Sequence, residues 1–170
     1  DLRVSTALRS LDLSKRSGMD VGVEEAKVLA AALRESGTAM AWLNLDGFAG
    51  LKTLPATVGG LTDLQTFHLR ECEGLEHLPA EVGKLRKLST LNMTSCKELV
   101  ELPAAIGNPN ALTSLDLGFC RALTVLPPEI TQDVTQIGLY PHDSSGWVLA
   151  NVRPPGTMHH FQTEWVFFDP

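Results

Sequence analysis

The sequence predicts an α/β solenoid, a right-handed superhelix whose coils place one parallel β-sheet on the concave side. The first observation is a 24-residue period in the Leu-Pro pairs, which recur at Leu54-Pro55, Leu78-Pro79, Leu102-Pro103 and Leu126-Pro127. The second is that other apolar positions keep this spacing: Cys72, Cys96 and Cys120, and Leu64, Leu88 and Leu112. Self-similarity at this period indicates an array in which each unit buries its apolar face against its neighbours.

Each repeat begins with the pattern LxxLxL, which predicts a short strand with one buried face. The Leu-Pro step follows, and proline lacks the N–H that would extend a sheet ladder. The returning segment is therefore predicted to be irregular or a short 3₁₀ turn on the convex side. A glycine such as Gly83 comes next, and it suits a tight turn back toward the following strand.

The N-terminal unit, residues 1–39, differs from the later ones. Leu8, Leu11 and Leu13 form another LxxLxL strand, and Leu11 precedes its counterpart Leu43 by 32 residues rather than 24. The longer connection contains residues 23–33, whose apolar positions share one face at helical spacing. We therefore predict one convex helix here and a change of repeat type near residue 39.

The C-terminal end of the array also departs from the pattern. The last strand, predicted over residues 134–139, arrives two residues early and lacks a cysteine. The repeat stops after Tyr140, and residues 141–170 are too apolar for a disordered linker. We predict that this tail caps the last coil, with one strand near 165–168. The alternative is that the tail docks onto another domain or a partner.

The repeat over residues 40–140, written LxxLxLxxCxxLxxLPxxIGxLxx, resembles the leucine-rich-repeat family. The resemblance is to its 24-residue, cysteine-containing type, found in plant and protist intracellular immune receptors and in Ras-suppressor-like proteins. Residues 1–39 are similar to the longer ribonuclease-inhibitor type of repeat. The resemblance implies a curved solenoid whose concave strands bind a protein ligand.

Composition excludes several classes of function. The chain has 170 residues, of which 44% are hydrophobic and 20% charged, with a formal net charge of −6. It has neither the cationic run that nucleic-acid binding requires nor an apolar stretch of roughly 18 to 20 residues, so we expect no nucleic-acid or membrane partner. Because the chain starts at Asp1 without methionine or a signal-like stretch, we expect a fragment or a processed form. We also expect this fragment to be monomeric.

The three cysteines occupy one repeat position, and their number is odd. Equivalent side chains in adjacent coils project in parallel, which favours buried free thiols over disulfides. Because free thiols persist in a reducing compartment, we predict a cytoplasmic location.

Side chains between the core leucines of each strand are predicted to face the concave surface. Trp42 is the candidate anchor, since Trp, Tyr and Arg dominate interface hot spots. The alternatives are that Trp42 packs over the repeat junction, that Phe119 and Tyr140 touch the C-terminal cap, and that the polar side chains are a solvated face. The predicted partner-binding residues are Trp42, Asn44, His68, Arg70, Asn92, Asp116, Phe119 and Tyr140.

No catalytic, metal or cofactor site is predicted. The sequence lacks a Gly-rich phosphate loop, GxSxG and HExxH. His159 and His160 match no specific metal-ligand spacing. We therefore predict an interaction module of a larger intracellular receptor or scaffold that binds a protein partner. The rivals are a structural or autoinhibitory domain that packs against its own chain, and a metal-dependent site in the C-terminal cap.

Overall fold

A computed structural model of the chain describes residues 9–14, 39–107, 111–124, 126–131, 136–138, 147–150 and 164–167. Six three-residue strands form one parallel sheet in sequential order. They are β1 (Ser10–Asp12), β2 (Trp42–Asn44), β3 (Thr66–His68), β4 (Thr90–Asn92), β5 (Ser114–Asp116) and β6 (Gln136–Gly138). This parallel sheet confirms the solenoid class predicted from the repeat.

The register of the sheet follows the repeat. The middle residues of β2 to β5 pair at the 24-residue spacing, in the order Leu43, Phe67, Leu91 and Leu115. Leu11 pairs with Leu43 and Leu115 with Ile137, so the first and last steps span 32 and 22 residues. The longer first step and the shortened last step are both confirmed, and the connections between strands absorb the differences in length.

The core is one continuous stack of side chains inside the coils. In β2 to β5 the middle residue is buried and the two flanking residues are half-buried. Phe67 and Leu91 are each 1% exposed, and the leucine before each proline is also buried. Each coil therefore buries its apolar side chains against the next coil, as expected for a repeat array.

The described segments that return between β2 and β6 contain 3₁₀ helices, which confirms that prediction. Pro55 precedes the first of these helices with φ −67° and ψ 143°, and its carbonyl oxygen accepts a hydrogen bond from the Val58 N–H at 3.0 Å. Pro79 begins the next turn in the same way. The helices are η1 (Ala56–Gly60), η2 (Ala80–Lys84), η3 (Ala104–Gly107) and η4 (Pro128–Thr131).

The glycine after the buried valine or isoleucine has a different role from the predicted one. Gly83 does not adopt a positive φ, so the turn itself does not require glycine. A Cβ at Gly83 would lie 2.6 Å from the carbonyl oxygen of Ala105 in the next coil, well inside contact distance. Glycine is therefore required because successive 3₁₀ helices approach each other closely.

The ends of the chain are described only in part. Two C-terminal strands, β7 (Trp147–Ala150) and β8 (Glu164–Phe167), pair antiparallel, and β8 confirms the strand predicted near 165–168. The helix predicted over residues 23–33 lies outside the described residues. The domain boundaries at 39 and 140 and the capping role of the tail stay predictions. Within the described ranges, no helix is long and apolar enough to cross a membrane.

Candidate functional site

The outward side of the sheet, which we call the open face, carries two rows of side chains in register. The first row takes the first residue of each strand: Ser10, Trp42, Thr66, Thr90 and Ser114 in β1 to β5. The central row takes the third residue: Asp12, Asn44, His68, Asn92 and Asp116. The structure thus brings five of the predicted partner-binding residues onto one face, since Trp42 lies in the first row and the other four in the central row.

The other three predicted residues lie beyond the strands. Arg70 follows β3 by two residues and is exposed, and Phe119 follows β5 by three and is 41% exposed. Tyr140 lies outside the described residues.

Most side chains of the central row bind their own backbone. The Oδ1 atom of Asn44 accepts a hydrogen bond from the Asp46 N–H at 2.9 Å, and Asn92 does the same for Thr94 at 3.0 Å. Asp12 and Asp116 accept the equivalent N–H two residues later at 2.9 and 3.0 Å. Each contact closes an Asx turn at the end of a strand. Sequence reasoning missed this role, although an Asx residue before a turn is its usual signal.

His68 is the exception in the central row from β1 to β5. It has no Oδ1 atom, and the carboxylate of Asp46 in the preceding coil accepts the Arg70 N–H instead, at 2.7 Å. The donor is thus satisfied from 24 residues away rather than from two. The imidazole of His68 therefore does not take part in closing the turn.

The imidazole of His68 contacts the indole ring of Trp42. The ring centroids are 5.8 Å apart and the ring planes are tilted by 52°. Trp42 pairs with Thr66 in the sheet register, so it reaches His68 diagonally across the two strands. Both side chains are half-buried. Tilted aromatic contacts at this separation are attractive and restrain both rings.

The turns after β2, β3, β4 and β5 each contain one residue in the left-handed region. Gly47, Glu71, Ser95 and Phe119 have φ values of 82°, 58°, 65° and 61° at equivalent positions. This conformation is uncommon for residues with a side chain and costs on the order of 1 kcal/mol. The N–H groups of the first three bind carbonyl oxygens of the next coil at 2.7–2.8 Å, which fixes the turns. The edge of the open face is therefore largely preformed.

Charge is distributed unevenly along the strands. Among the described residues, the strand ends carry the carboxylates of Asp12, Asp46, Glu71 and Asp116 and one cation, Arg70. A hydrogen bond from the Ser14 backbone lowers the pKa of Asp12, whereas partial burial raises the pKa of Asp46. The described part of the open face is thus acidic along its strand ends.

The strand starts border a cavity that sequence reasoning did not anticipate. It has a volume of about 270 Å³, and the ammonium of Lys87 lies 2.6 Å from the Asp63 carboxylate at its edge. The lining residues are Arg9, Ala39, Ala41, Asp63, Gln65 and Lys87. No repeat position marks these residues as a set, so the sequence carries no signal for the cavity.

The cysteines form a buried ladder of free thiols. The Sγ atoms of Cys72, Cys96 and Cys120 donate to the carbonyl oxygens of Leu45, Leu69 and Met93 at 3.2, 3.2 and 3.1 Å. Burial raises the pKa of Cys72 to about 12. The neighbouring Cys120 thiol and burial also raise the pKa of Cys96. Since the thiolate is the nucleophile and the metal ligand, Cys72 and Cys96 are poorly suited to either role.

Within the described ranges, no three His, Cys, Asp or Glu side chains are arranged to hold a metal ion. His159 and His160 lie outside those ranges.

Comparison with known proteins identifies the fold. No family model matches the sequence, and no curated protein matches it either. The chain is similar to a leucine-rich-repeat protein of Leptospira interrogans, with 24% identity and a TM-score of 0.50 over 81% of this chain. It is also similar to the leucine-rich-repeat domain of the type III effector XopL, with 23% identity and a TM-score of 0.46 over 60% of this chain.

The parallel sheet, its register and the likeness to the Leptospira structure together define a leucine-rich-repeat fold. The chain spans 38% of the Leptospira structure's length and 43% of the XopL structure's length. The two repeat subtypes named from the sequence stay a resemblance.

Proposed function

We propose that this chain is a protein–protein interaction module that binds a protein partner on the open face of its sheet. The observation that carries the proposal is the contact between Trp42 and His68, an aromatic pair on an otherwise small and polar face. Buried aromatic anchors with polar surroundings are typical of interface hot spots. The leucine-rich-repeat fold supports the proposal by analogy, since proteins with this fold generally bind protein partners.

The preformed geometry of this face supports the same function. Asx turns at four strand ends and hydrogen-bonded left-handed turns hold the side chains before any partner arrives. A rigid surface loses less conformational entropy on binding than a mobile one. The proposed contact residues remain Trp42, Asn44, His68, Arg70, Asn92, Asp116, Phe119 and Tyr140, with the open face concave and the solenoid right-handed.

We infer the wider setting from the resemblance and the free thiols. The module belongs to a larger intracellular receptor or scaffold in the cytoplasm, is monomeric by itself, and binds neither nucleic acid nor membrane. It requires no cofactor and catalyses no reaction.

A structural or autoinhibitory role is the second candidate. The Asx turns favour it, because four central-row side chains already serve their own backbone rather than a ligand. In that case the open face packs against another part of the same protein.

Affinity capture from native lysate tests the proposal. The bait is the full chain, compared with a Trp42→Ala, His68→Ala, Arg70→Ala variant whose folding is matched by circular dichroism. A control variant carries Lys84→Ala, Glu98→Ala and Arg121→Ala, three exposed positions outside the strands. A protein retained by the wild type and the control, but lost by the first variant, supports binding on the open face.

The opposite results are equally informative. If all three baits retain the same proteins, the open face is not the binding surface. If none retains a protein, the structural or autoinhibitory role becomes the better account of the chain.

A further inference from the structure

Two departures from the repeat pattern meet at one place on the open face. From β1 to β5, the first row consists of Ser and Thr except at Trp42, and the central row consists of Asp and Asn except at His68. These two exceptions contact each other, with ring centroids 5.8 Å apart. Because both rows depart from their usual residue types at adjacent positions, these positions indicate a site with a local function.

The backbone has accommodated the change at His68. The Asx residue that closes the turn elsewhere is missing, and Asp46 satisfies the Arg70 N–H across the coils at 2.7 Å. The side chain at position 68 is therefore not needed to close the turn. It contacts the Trp42 ring instead and restrains it. The compensating contact also places a carboxylate at Arg70, two residues after His68.

The surroundings of the pair are acidic. Asp12 pairs with Asn44 across β1 and β2, so it lies diagonally from Trp42 on the side of β2 opposite His68. Asp46 follows Asn44 by two residues and contacts the Arg70 N–H, two residues after His68. Because partial burial raises the pKa of Asp46, its ionised form is poorly solvated and gains from a nearby cation.

We propose that an arginine side chain of the protein partner binds between the indole of Trp42 and the carboxylates of Asp12 and Asp46. This inference rests on the proposed function, and it names the chemistry that the open face recognises. A guanidinium group stacks on aromatic rings and donates paired hydrogen bonds to carboxylates, which a compact ammonium does less well.

The charge balance around the pair suits a single cation rather than a polybasic segment. Arg70 already lies on one side of Asp46, and its backbone N–H occupies Oδ1 of that carboxylate. Further partner cations on that side would face the Arg70 guanidinium. The partner segment therefore presents one arginine at Trp42, with uncharged residues toward Arg70.

The repeat itself supplies variants that remove charge without removing the turn. Asn44 and Asn92 make the same Asx contact that Asp12 makes. An Asp12→Asn, Asp46→Asn variant therefore keeps both Oδ1 acceptors while it removes both charges. A Glu98→Gln, Glu129→Gln variant makes the same change in net charge at two exposed positions outside the strands, and it serves as the control.

The test is selection of displayed random peptides on the full chain, followed by affinity measurement with synthetic peptides. We expect enrichment of arginine over its frequency in the starting library. Replacing that arginine with citrulline, or using the Asp12→Asn, Asp46→Asn variant, should weaken binding about tenfold or more, because each change removes charge-assisted hydrogen bonds. The control variant should bind like the wild type.

Three other outcomes separate this inference from the proposed function. Peptides that lose affinity with Trp42→Ala but bind citrulline as well as arginine would overturn the arginine site and leave partner binding on the open face intact. If Trp42→Ala weakens the binding of no selected peptide, the open face is not a binding surface, and both proposals are overturned. A loss that is equal in the control and the double variant would show attraction by net charge alone and would also overturn the arginine site.

Discussion

The ends of strands β3 and β4 satisfy the same backbone requirement in different ways. At β4, Asn92 accepts hydrogen bonds from the Thr94 N–H at 3.0 Å and from the Thr94 hydroxyl at 2.8 Å, so the turn is closed locally. At β3, His68 makes no such contact and Asp46 of the preceding coil accepts the Arg70 N–H. A contact between coils can therefore replace a contact within a coil, and the replaced residue becomes available for another role.

Strands β3 and β4 both pack on the same apolar core. Removing core side chains from either strand should have the largest effect on the free energy of unfolding. Phe67→Ala in β3 and Leu91→Ala in β4 each empty a site that is 1% exposed. We expect the free energy of unfolding to fall by about 3–5 kcal/mol for Phe67→Ala and by about 2–5 kcal/mol for Leu91→Ala. Urea denaturation followed by circular dichroism measures both values, and a loss under 1 kcal/mol would contradict the packing described here.

The buried thiol of Cys72 should make the free energy of unfolding depend on pH in the alkaline range. Cys72 has an ordinary value of 9.0, which burial raises to about 12, so the folded chain holds the proton more tightly than the unfolded chain. The contribution is fully present below pH 9 and is lost as the pH rises toward 12. The expected slope from Cys72 alone is about 1.4 kcal/mol per pH unit in that window.

Denaturation at a series of pH values measures this slope, and Cys72→Ala should reduce it. Native thiols should also react slowly with a thiol reagent at pH 8, and all three should react after unfolding. An unchanged slope in Cys72→Ala would show that the thiol at position 72 is not the titrating group.

The spacing between coils can be tested at two glycines of successive 3₁₀ helices, one crowded by the next coil and one open to space. A Cβ at Gly83 would meet the Ala105 carbonyl oxygen at 2.6 Å, whereas nothing lies within 4 Å of a Cβ at Gly60. We expect Gly83→Ala to destabilise the chain by about 1–3 kcal/mol because backbone must move. Gly60→Ala is the control, and thermal unfolding should show no loss. Equal effects at the two positions would argue against close approach of the 3₁₀ helices.

A smaller effect is expected for the exchanged turn contact itself. Asp46→Ala removes the acceptor of the Arg70 N–H and should cost about 1 kcal/mol, since the site is partly solvated. Asp46→Asn keeps the acceptor and should be close to neutral. In the background of His68→Asn, which restores the local Asx contact, the cost of Asp46→Ala should decrease. A double-mutant cycle measures this coupling, and purely additive effects would show that the two turn designs are not interchangeable.

Partial burial of Asp46 makes the contribution of this residue to the free energy of unfolding depend on pH. Its folded pKa lies above the ordinary value of 3.8, so its contribution to stability is present at low pH and is lost as the pH rises through the folded pKa. Asp46→Asn should therefore gain slightly in stability relative to the wild type at pH 7 and lose that advantage at acid pH.

Much of the open face could be predicted because a strand alternates its side chains with a period of two. Trp42, Asn44, His68, Asn92 and Asp116 were assigned to their rows from the LxxLxL pattern, and the sheet register confirms those rows. Arg70 and Phe119 were also assigned by spacing and lie just beyond the strands. What spacing did not reveal is that the Asx side chains bind backbone, because that depends on the turn geometry after each strand.

By itself, the sequence determined the order of the strands, the 32-, 24- and 22-residue steps of the register, the 3₁₀ returns and the buried cysteines. These features follow from repeat period, alternation and proline chemistry, which act within one or two coils. Only the tertiary structure decided that Asp46 serves Arg70, that Trp42 rests on His68, and that Gly83 makes room for Ala105. Each of these is a contact between coils, and its distance depends on how closely the coils stack rather than on the residues of either coil alone.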